Sequence, residues 1–200
     1  ADAVDASRQV EQVGDELYSM SCWAPQFCAA LIRAAEAAGG FSAQPGDPVP
    51  GHEISLALIS PRLFEAVQDD MGMRIWPQLQ QHWPLIDYHG INDVFIIKYE
   101  KGGQEELRQH HDVAQVSASV KLNDNYKGAL LLIASNSAAG QLPLPNFASQ
   151  ARASVSRAST SLMVYCSPSK TLKFIKIDFL SLDKLISEDS IENLRYPLFR

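Results

Sequence analysis

Cysteine and positive charge are both scarce in this 200-residue chain, and histidine is absent beyond His111. The three cysteines, Cys22, Cys28 and Cys166, are an odd and scattered set. They form neither a disulfide framework nor a CxxC zinc ribbon, so the expected setting is a reduced, cytoplasmic one. Lys and Arg number 17 against 23 Asp and Glu, for a formal net charge of -6. That balance argues against a nucleic-acid partner, since sequence-independent binding needs a basic face. No apolar run reaches the length of a membrane-spanning helix, so no membrane partner is expected. The opening ADAVDASRQV lacks both a Met and the layout of a signal peptide, as a trimmed or processed chain would. There is no Gly-rich phosphate loop, and no Ser-His-Asp arrangement can be placed.

A hydrophobic fraction of 46% with 20% charged residues is that of a globular domain. The expected organisation is one domain over 1–200, with a loose arm at 1–20 and a C-terminal extension of helix or coil at 182–200. Phe27, Ala30, Leu31 and Ala34 recur at helical spacing, and Pro25 and Gly39-Gly40 bracket a helix over 24–38. A Pro/Gly loop follows at 41–51. HEISLALIS (52–60) alternates and reads as a strand. Leu63, Val67, Met71 and Ile75 mark a second helix over 61–83, kinked or ended by Pro77. Trp76 and Trp83 belong to its core face.

From residue 90 the composition turns to β-branched and aromatic residues. Strands are expected at 91–100, 106–115, 116–123, 129–135, 161–167 and 171–181, and a long Ser/Ala/Pro-rich loop at 136–157. Helices followed by a run of short strands is an α+β pattern, and the strands alone suggest a sandwich, barrel or jelly roll.

The strongest local signal is LRQHHDVAQ. On a strand, His110 and Asp112 share one face while His111 points to the other. An imidazole and a carboxylate on one face are two thirds of a 2-His-1-carboxylate iron site. His52, His82 and His89 have no metal-ligand spacing among themselves.

The stretch IIKYEKGGQEELRQHHDVAQVSASVKLNDNYKG resembles the Fe(II)- and 2-oxoglutarate-dependent oxygenases, in their prolyl 4-hydroxylase and lysyl hydroxylase branch. The resemblance rests on a strand ending in Tyr99, the turn at Gly102-Gly103, the His110-His111-Asp112 element, Leu122-Asn123, and Tyr126-Lys127-Gly128. It implies a double-stranded β-helix (jelly-roll, cupin-like) core with supporting N-terminal helices. It also implies a dioxygenase that hydroxylates a prolyl, lysyl or free amino-acid side chain, or a small metabolite. Fe(II) is the implied metal and 2-oxoglutarate the implied cosubstrate, with room for ascorbate. A small molecule or peptide is the implied partner. By the same resemblance His110 and Asp112 ligate iron, Tyr99 hydrogen-bonds a 2-oxoglutarate carboxylate, and Lys173 pairs with the distal carboxylate.

The second histidine of the family's triad has no counterpart after His111. Matching 161–167 and 172–180 to the last two strands of the family leaves only residues 167–170 for it. Three accounts follow: a longer segment belongs between Cys166 and Thr171, Cys166 replaces the imidazole, or the domain is an inactive jelly-roll binding module.

Overall fold

In the computed structural model the described residues are 10–14, 16–43, 51–112, 114–123, 129–135, 142–143, 152–157, 160–166 and 172–179. The extension at 182–200 lies outside them.

The N-terminal region differs from the expected loose arm. Strands β1 (Glu11–Gly14) and β2 (Leu17–Ser21) form an antiparallel hairpin. Leu17, Tyr18 and Met20 are buried, which gives this polar-looking segment a reason to be ordered. Helix α1 (Pro25–Ala38) starts at a proline, which needs no hydrogen-bond acceptor in the first turn. It ends at Gly39, whose φ of 64° suits a residue without Cβ. Its inward stripe is Cys28, Leu31 and Ala35.

The expected strand at 52–60 is strand only over β3 (Glu53–Ser55). Leu56–Ile59 coils into a helical turn, α2, which leaves Leu58 exposed. The cause lies just beyond it. Ser60 accepts a hydrogen bond from the Leu63 backbone N–H and caps α3 (Pro61–Asp70), so the chain must turn before it. The second helix is continuous in direction but not in winding. A π-helical turn (Met71–Ile75) separates α3 from α4 (Trp76–Leu79). Pro77 thereby falls in the first turn of α4, where its missing N–H costs least. Val67, Met71, Ile75 and Trp76 are all buried, as the stripe predicts.

Among the described residues eight further strands follow: β4 (Ile91–Tyr99), β5 (Glu106–His111), β6 (Val116–Lys121), β7 (Ala129–Ser135), β8 (Leu142–Pro143), β9 (Arg152–Arg157), β10 (Thr160–Cys166) and β11 (Leu172–Phe179). Strands β8 and β9 stand in the region expected to be a loop. Strand β9 (RASVSR) alternates only the small Ala153 and Val155 with Ser and Arg, a weak signal inside a Ser-rich segment. It is nevertheless laddered on both sides, to β2 and to β6.

Two sheets result. The larger has the order β1-β2-β9-β6-β11-β4-β3 and the smaller β5-β10-β7-β8. Among the described strands from β4 onward the chain passes back and forth between them, except that β7 and β8 are consecutive in one sheet. The fold is therefore a mixed α+β one, as expected, although the β1–β2 hairpin precedes the helices and β3 falls among them.

The helices cover one face of the larger sheet. Val94 and Ile96 of β4, Val116, Ala118 and Val120 of β6, and Ile175, Ile177 and Phe179 of β11 join the helical side chains in one apolar cluster. Phe179 packs against Trp76 at a tilt and meets Tyr88 edge-on. Trp83 donates its indole N–H to Glu16, and Trp23 donates to Asp70, which also holds Arg74. These bonds tie the hairpin to the helices. Residues of the opposite parity are buried as well: Ile97 and Tyr99, which lie outside that cluster, and Ser117, Ser119 and Lys121. The larger sheet is thus covered on both faces, and the smaller sheet is the layer available to cover the second.

Candidate metal centre

Strand β4 ends at Tyr99 and turns back through Lys101, Gly102 and Gly103. Gly102 has a φ of 78° and donates its N–H to Glu105, while Gly103 donates to the Glu100 carbonyl. This glycine turn, legible in the sequence, delivers the chain to β5.

Strand β5 pairs with β10, and the register carries one irregularity. Leu107 stands opposite Val164, and His110 stands opposite Leu162. Three steps on β5 match two steps on β10, so β5 carries one extra residue. Such a bulge reverses the parity of everything beyond it. Leu107 is buried, and without the bulge His110 would take the other face. The bulge brings the imidazole round to the buried side, where the His110 and Asp112 side chains are only 15% and 13% exposed.

His110 Nδ1 lies 2.9 Å from the Arg108 carbonyl oxygen. A carbonyl can only accept, so Nδ1 carries the hydrogen and the neutral ring has its lone pair on Nε2. His110 Nε2 lies 3.4 Å from Asp112 Oδ1. Two lone-pair atoms at that separation repel unless a proton or a cation lies between them. Neighbouring ligands on an octahedral divalent ion sit about 3 Å apart. The pair therefore fits two adjacent corners of a metal ion, with its tautomer fixed as for a ligating histidine. Among the described residues no group of three His, Cys, Asp or Glu side chains is placed to hold a metal. The side chain of His111 lies outside the described ones.

Tyr99 is fully buried. In register, Ile97 stands opposite Phe174, and Phe174 opposite Lys121, so Ile97, Tyr99 and Lys121 share one parity across β4, β11 and β6. Lys121 is 2% exposed, and Ser117 and Ser119 precede it on the same face. The sequence reading overlooked Lys121. Its signal was a single lysine in SVKLN, on the parity of the two serines rather than that of Val116, Ala118 and Val120. Lys173 stands opposite Lys98, on the other parity from Tyr99, whose partner is Leu172. The Lys173 side chain lies outside the described ones. The Tyr126-Lys127-Gly128 turn and the segment 167–171 lie outside the described residues altogether.

No family model and no curated protein sequence matches the chain. The fold does match solved structures. A Pseudomonas putida prolyl-4-hydroxylase superposes with a TM-score of 0.55 at 12% identity, covering 83% of this chain and 92% of that one. The non-heme alpha ketoglutarate dependent epimerase SnoN from nogalamycin biosynthesis gives 0.60 at 11% identity, with 84% and 79% covered. A Trichoplax adhaerens prolyl hydroxylase, in complex with a hypoxia inducible factor peptide fragment, gives 0.56 at 10% identity, with 83% and 84% covered. At such identities the likeness is one of fold. The chain has the fold of the 2OG-Fe(II) oxygenases, prolyl hydroxylases among them.

Proposed function

We propose that this protein is an Fe(II)- and 2-oxoglutarate-dependent dioxygenase. Two strand orders support a double-stranded β-helix core, β9-β6-β11-β4 within the larger sheet and β5-β10-β7-β8 in the smaller. The observation that carries the reading is the His110–Asp112 pair, turned inward by the β5 bulge with Nε2 3.4 Å from the carboxylate. Iron(II), when bound, supplies the redox centre and the open positions for cosubstrate and dioxygen.

The protein's own groups do the rest. Arg108 fixes the imidazole through its carbonyl, which orients the ring and raises its basicity. On the facing sheet the Tyr99 hydroxyl and a lysine ammonium bind a dicarboxylate. Lys121 is buried on the parity of Tyr99, which places it to meet an anion on that face of the sheet. For that reason Lys121 is favoured over Lys173 as the partner of the distal carboxylate. The substrate is a prolyl, lysyl or free amino-acid side chain, or a small metabolite. The described cysteines, Cys22 and Cys28, are buried thiols, in keeping with a reducing, cytoplasmic setting.

The test is Fe(II)-dependent conversion of 2-oxoglutarate to succinate, with iron and cosubstrate affinities measured alongside. Turnover that disappears in His110→Ala is the expected result. A second reading, an inactive binding module of the same fold, is favoured by the missing third ligand among the described residues. It predicts that 2-oxoglutarate binds and no succinate forms. Absence of iron and cosubstrate binding sinks both.

A further inference from the structure

Among the described residues the buried serine and charged side chains are Ser19, Ser117, Ser119 and Lys121. All four turn the same way. Ser119 of β6 and Ser19 of β2 both stand opposite Ser154 of β9. Directly opposed residues of an antiparallel ladder share a face, so Ser19 lies on the parity of Ser117, Ser119 and Lys121. The other parity of the same two strands carries Tyr18, Met20, Val116, Ala118 and Val120, all in the apolar cluster under the helices.

Ser19 belongs to the N-terminal hairpin, and its two neighbours pin it. Tyr18 stacks on His82 with ring centroids 4.3 Å apart and meets Trp83 edge-on. The Trp83 indole in turn holds Glu16 beside the hairpin turn. Met20 is fully buried on the same side. With both neighbours fixed among the helices, strand alternation commits Ser19 to the opposite face.

The serine face has the dimensions of a small molecule. Strands β2 and β6 are two spacings apart, about 10 Å, and Ser117 to Lys121 spans about 13 Å along β6. In register, Lys176 and Asp178 stand beside Ser119 and Ser117. Ser19, Ser117 and Ser119 are 6%, 2% and 9% exposed, so the face is enclosed and presents no open groove to an extended peptide. A hydroxyl has one donor and two acceptor lone pairs, so a serine engaged within the protein keeps capacity for a ligand. A prolyl side chain has no polar atom to offer in return.

We propose that the substrate is a small polar metabolite bearing hydroxyl or amide groups, held along this serine face, and that the N-terminal hairpin supplies Ser19 as a specificity residue at the end away from β4. The inference rests on the dioxygenase reading and narrows its substrate. Lys121 takes the cosubstrate, and the serines take the molecule to be oxidised.

The test puts a thiol on the face and asks what reaches it. Ser19→Cys and Ser119→Cys are close in size to the native residues, and Ala118→Cys puts the same thiol on the helix side. Thermal melts confirm that each is folded, and Ser117→Cys replaces Ser119→Cys if that one is not. The reagent is methyl methanethiosulfonate, small and neutral, with wild type as the blank for the native cysteines. Ser19→Cys and Ser119→Cys react at least about tenfold faster than Ala118→Cys. L-Glutamine, L-serine, D-glucose and a capped Gly-Pro-Gly peptide are then added singly to protein holding Mn(II) and 2-oxoglutarate. At least one of the three polar probes slows Ser19→Cys, and the peptide does not. The inference is overturned if either folded serine-face thiol is as unreactive as Ala118→Cys, if no probe slows Ser19→Cys, or if the peptide does. Calorimetric titration of wild type with 2-oxoglutarate separates the two readings. Cosubstrate that binds while the thiol results fail removes the serine face and leaves the dioxygenase reading standing. Cosubstrate that does not bind removes both.

Discussion

The two faces of the larger sheet are made by the same strands and are built to opposite rules. Toward the helices, β6 presents Val116, Ala118 and Val120, and β4 presents Val94 and Ile96, all at 1% exposure or less. On the other parity β6 carries Ser117, Ser119 and Lys121, and β4 carries Asp93 and ends in Tyr99. Burying apolar area stabilises the fold at about 25 cal/mol per Å². Burying hydroxyls and an ammonium costs free energy unless each finds a partner. A sheet that meets both demands on one set of strands gathers its apolar burial on one side and its buried polar groups on the other. The contrast can be probed by substitutions that should disturb one side and spare the other.

The largest effect is expected on the helix side. Ile175 is fully buried in the middle of β11, laddered to both β4 and β6. Ile175→Ala should cost about 3 kcal/mol, or roughly 10 °C in melting temperature for a chain of this size. Below the melting transition, 2-oxoglutarate affinity should be unchanged. An affinity loss without a stability loss would place Ile175 on the ligand side and break the division.

Gly72 comes next. It sits in the π-helical turn, and a Cβ there would lie 2.7 Å from the Tyr88 ring, itself packed on Trp76 and Phe179. Gly72→Ala should destabilise by about 2 kcal/mol, as overpacking does, measured by urea unfolding. If the ring swings aside freely the cost will be near zero, and the aromatic layer is then softer than its contacts imply.

On the inner side, Lys121→Met keeps the volume and removes the charge. Stability is read separately by urea unfolding, since the ammonium's contacts within the protein are lost with it. The 2-oxoglutarate dissociation constant should rise at least tenfold, a change of about 1.4 kcal/mol. Lys173→Met is the comparison. Equal weakening by both, or weakening by Lys173→Met alone, returns the distal carboxylate to Lys173. Calorimetric titration of the cosubstrate decides between them.

The helix stripe of Leu63, Val67, Met71 and Ile75, the glycine turn at Gly102 and the HHD element were all legible because each is a local pattern with a local cause. The strand β9 was not, since RASVSR earns its place by pairing on both edges rather than by its own propensity. The same holds for the short strand at β3. Alternation in HEISLALIS suggested nine strand residues, and the cap at Ser60 overrode it after three. At the site, alternation placed His110 and Asp112 together correctly. It could not reveal the β5 bulge that turns them inward, because one extra residue shows only against a partner strand. Lys121 was hidden for a related reason: only the sheet shows that its parity is Tyr99's.

The smallest expected effect concerns pH. Asp93 lies on the inner parity of β4, and burial pushes its carboxyl above the ordinary value. Hydrogen bonds from the Val94 N–H and the Ser55 side chain oppose the shift without cancelling it. A carboxyl raised on folding is one that the folded state prefers protonated. Its favourable contribution is fully present below the unfolded value, about 4, and is lost as pH rises through the higher folded value. Asp93→Asn cannot ionise, so wild type should lose stability relative to this variant across that window and not below it. Urea unfolding of both proteins between about pH 3 and pH 7 measures the difference. A flat difference removes Asp93 from the set of groups that folding perturbs. Asp178 stands opposite Asp93 in register and offers a rival cause, since two carboxylates directly opposed would also favour protonation. Repeating the comparison in an Asp178→Asn background separates the two. If burial is responsible the slope survives, and if it vanishes the facing carboxylate was responsible.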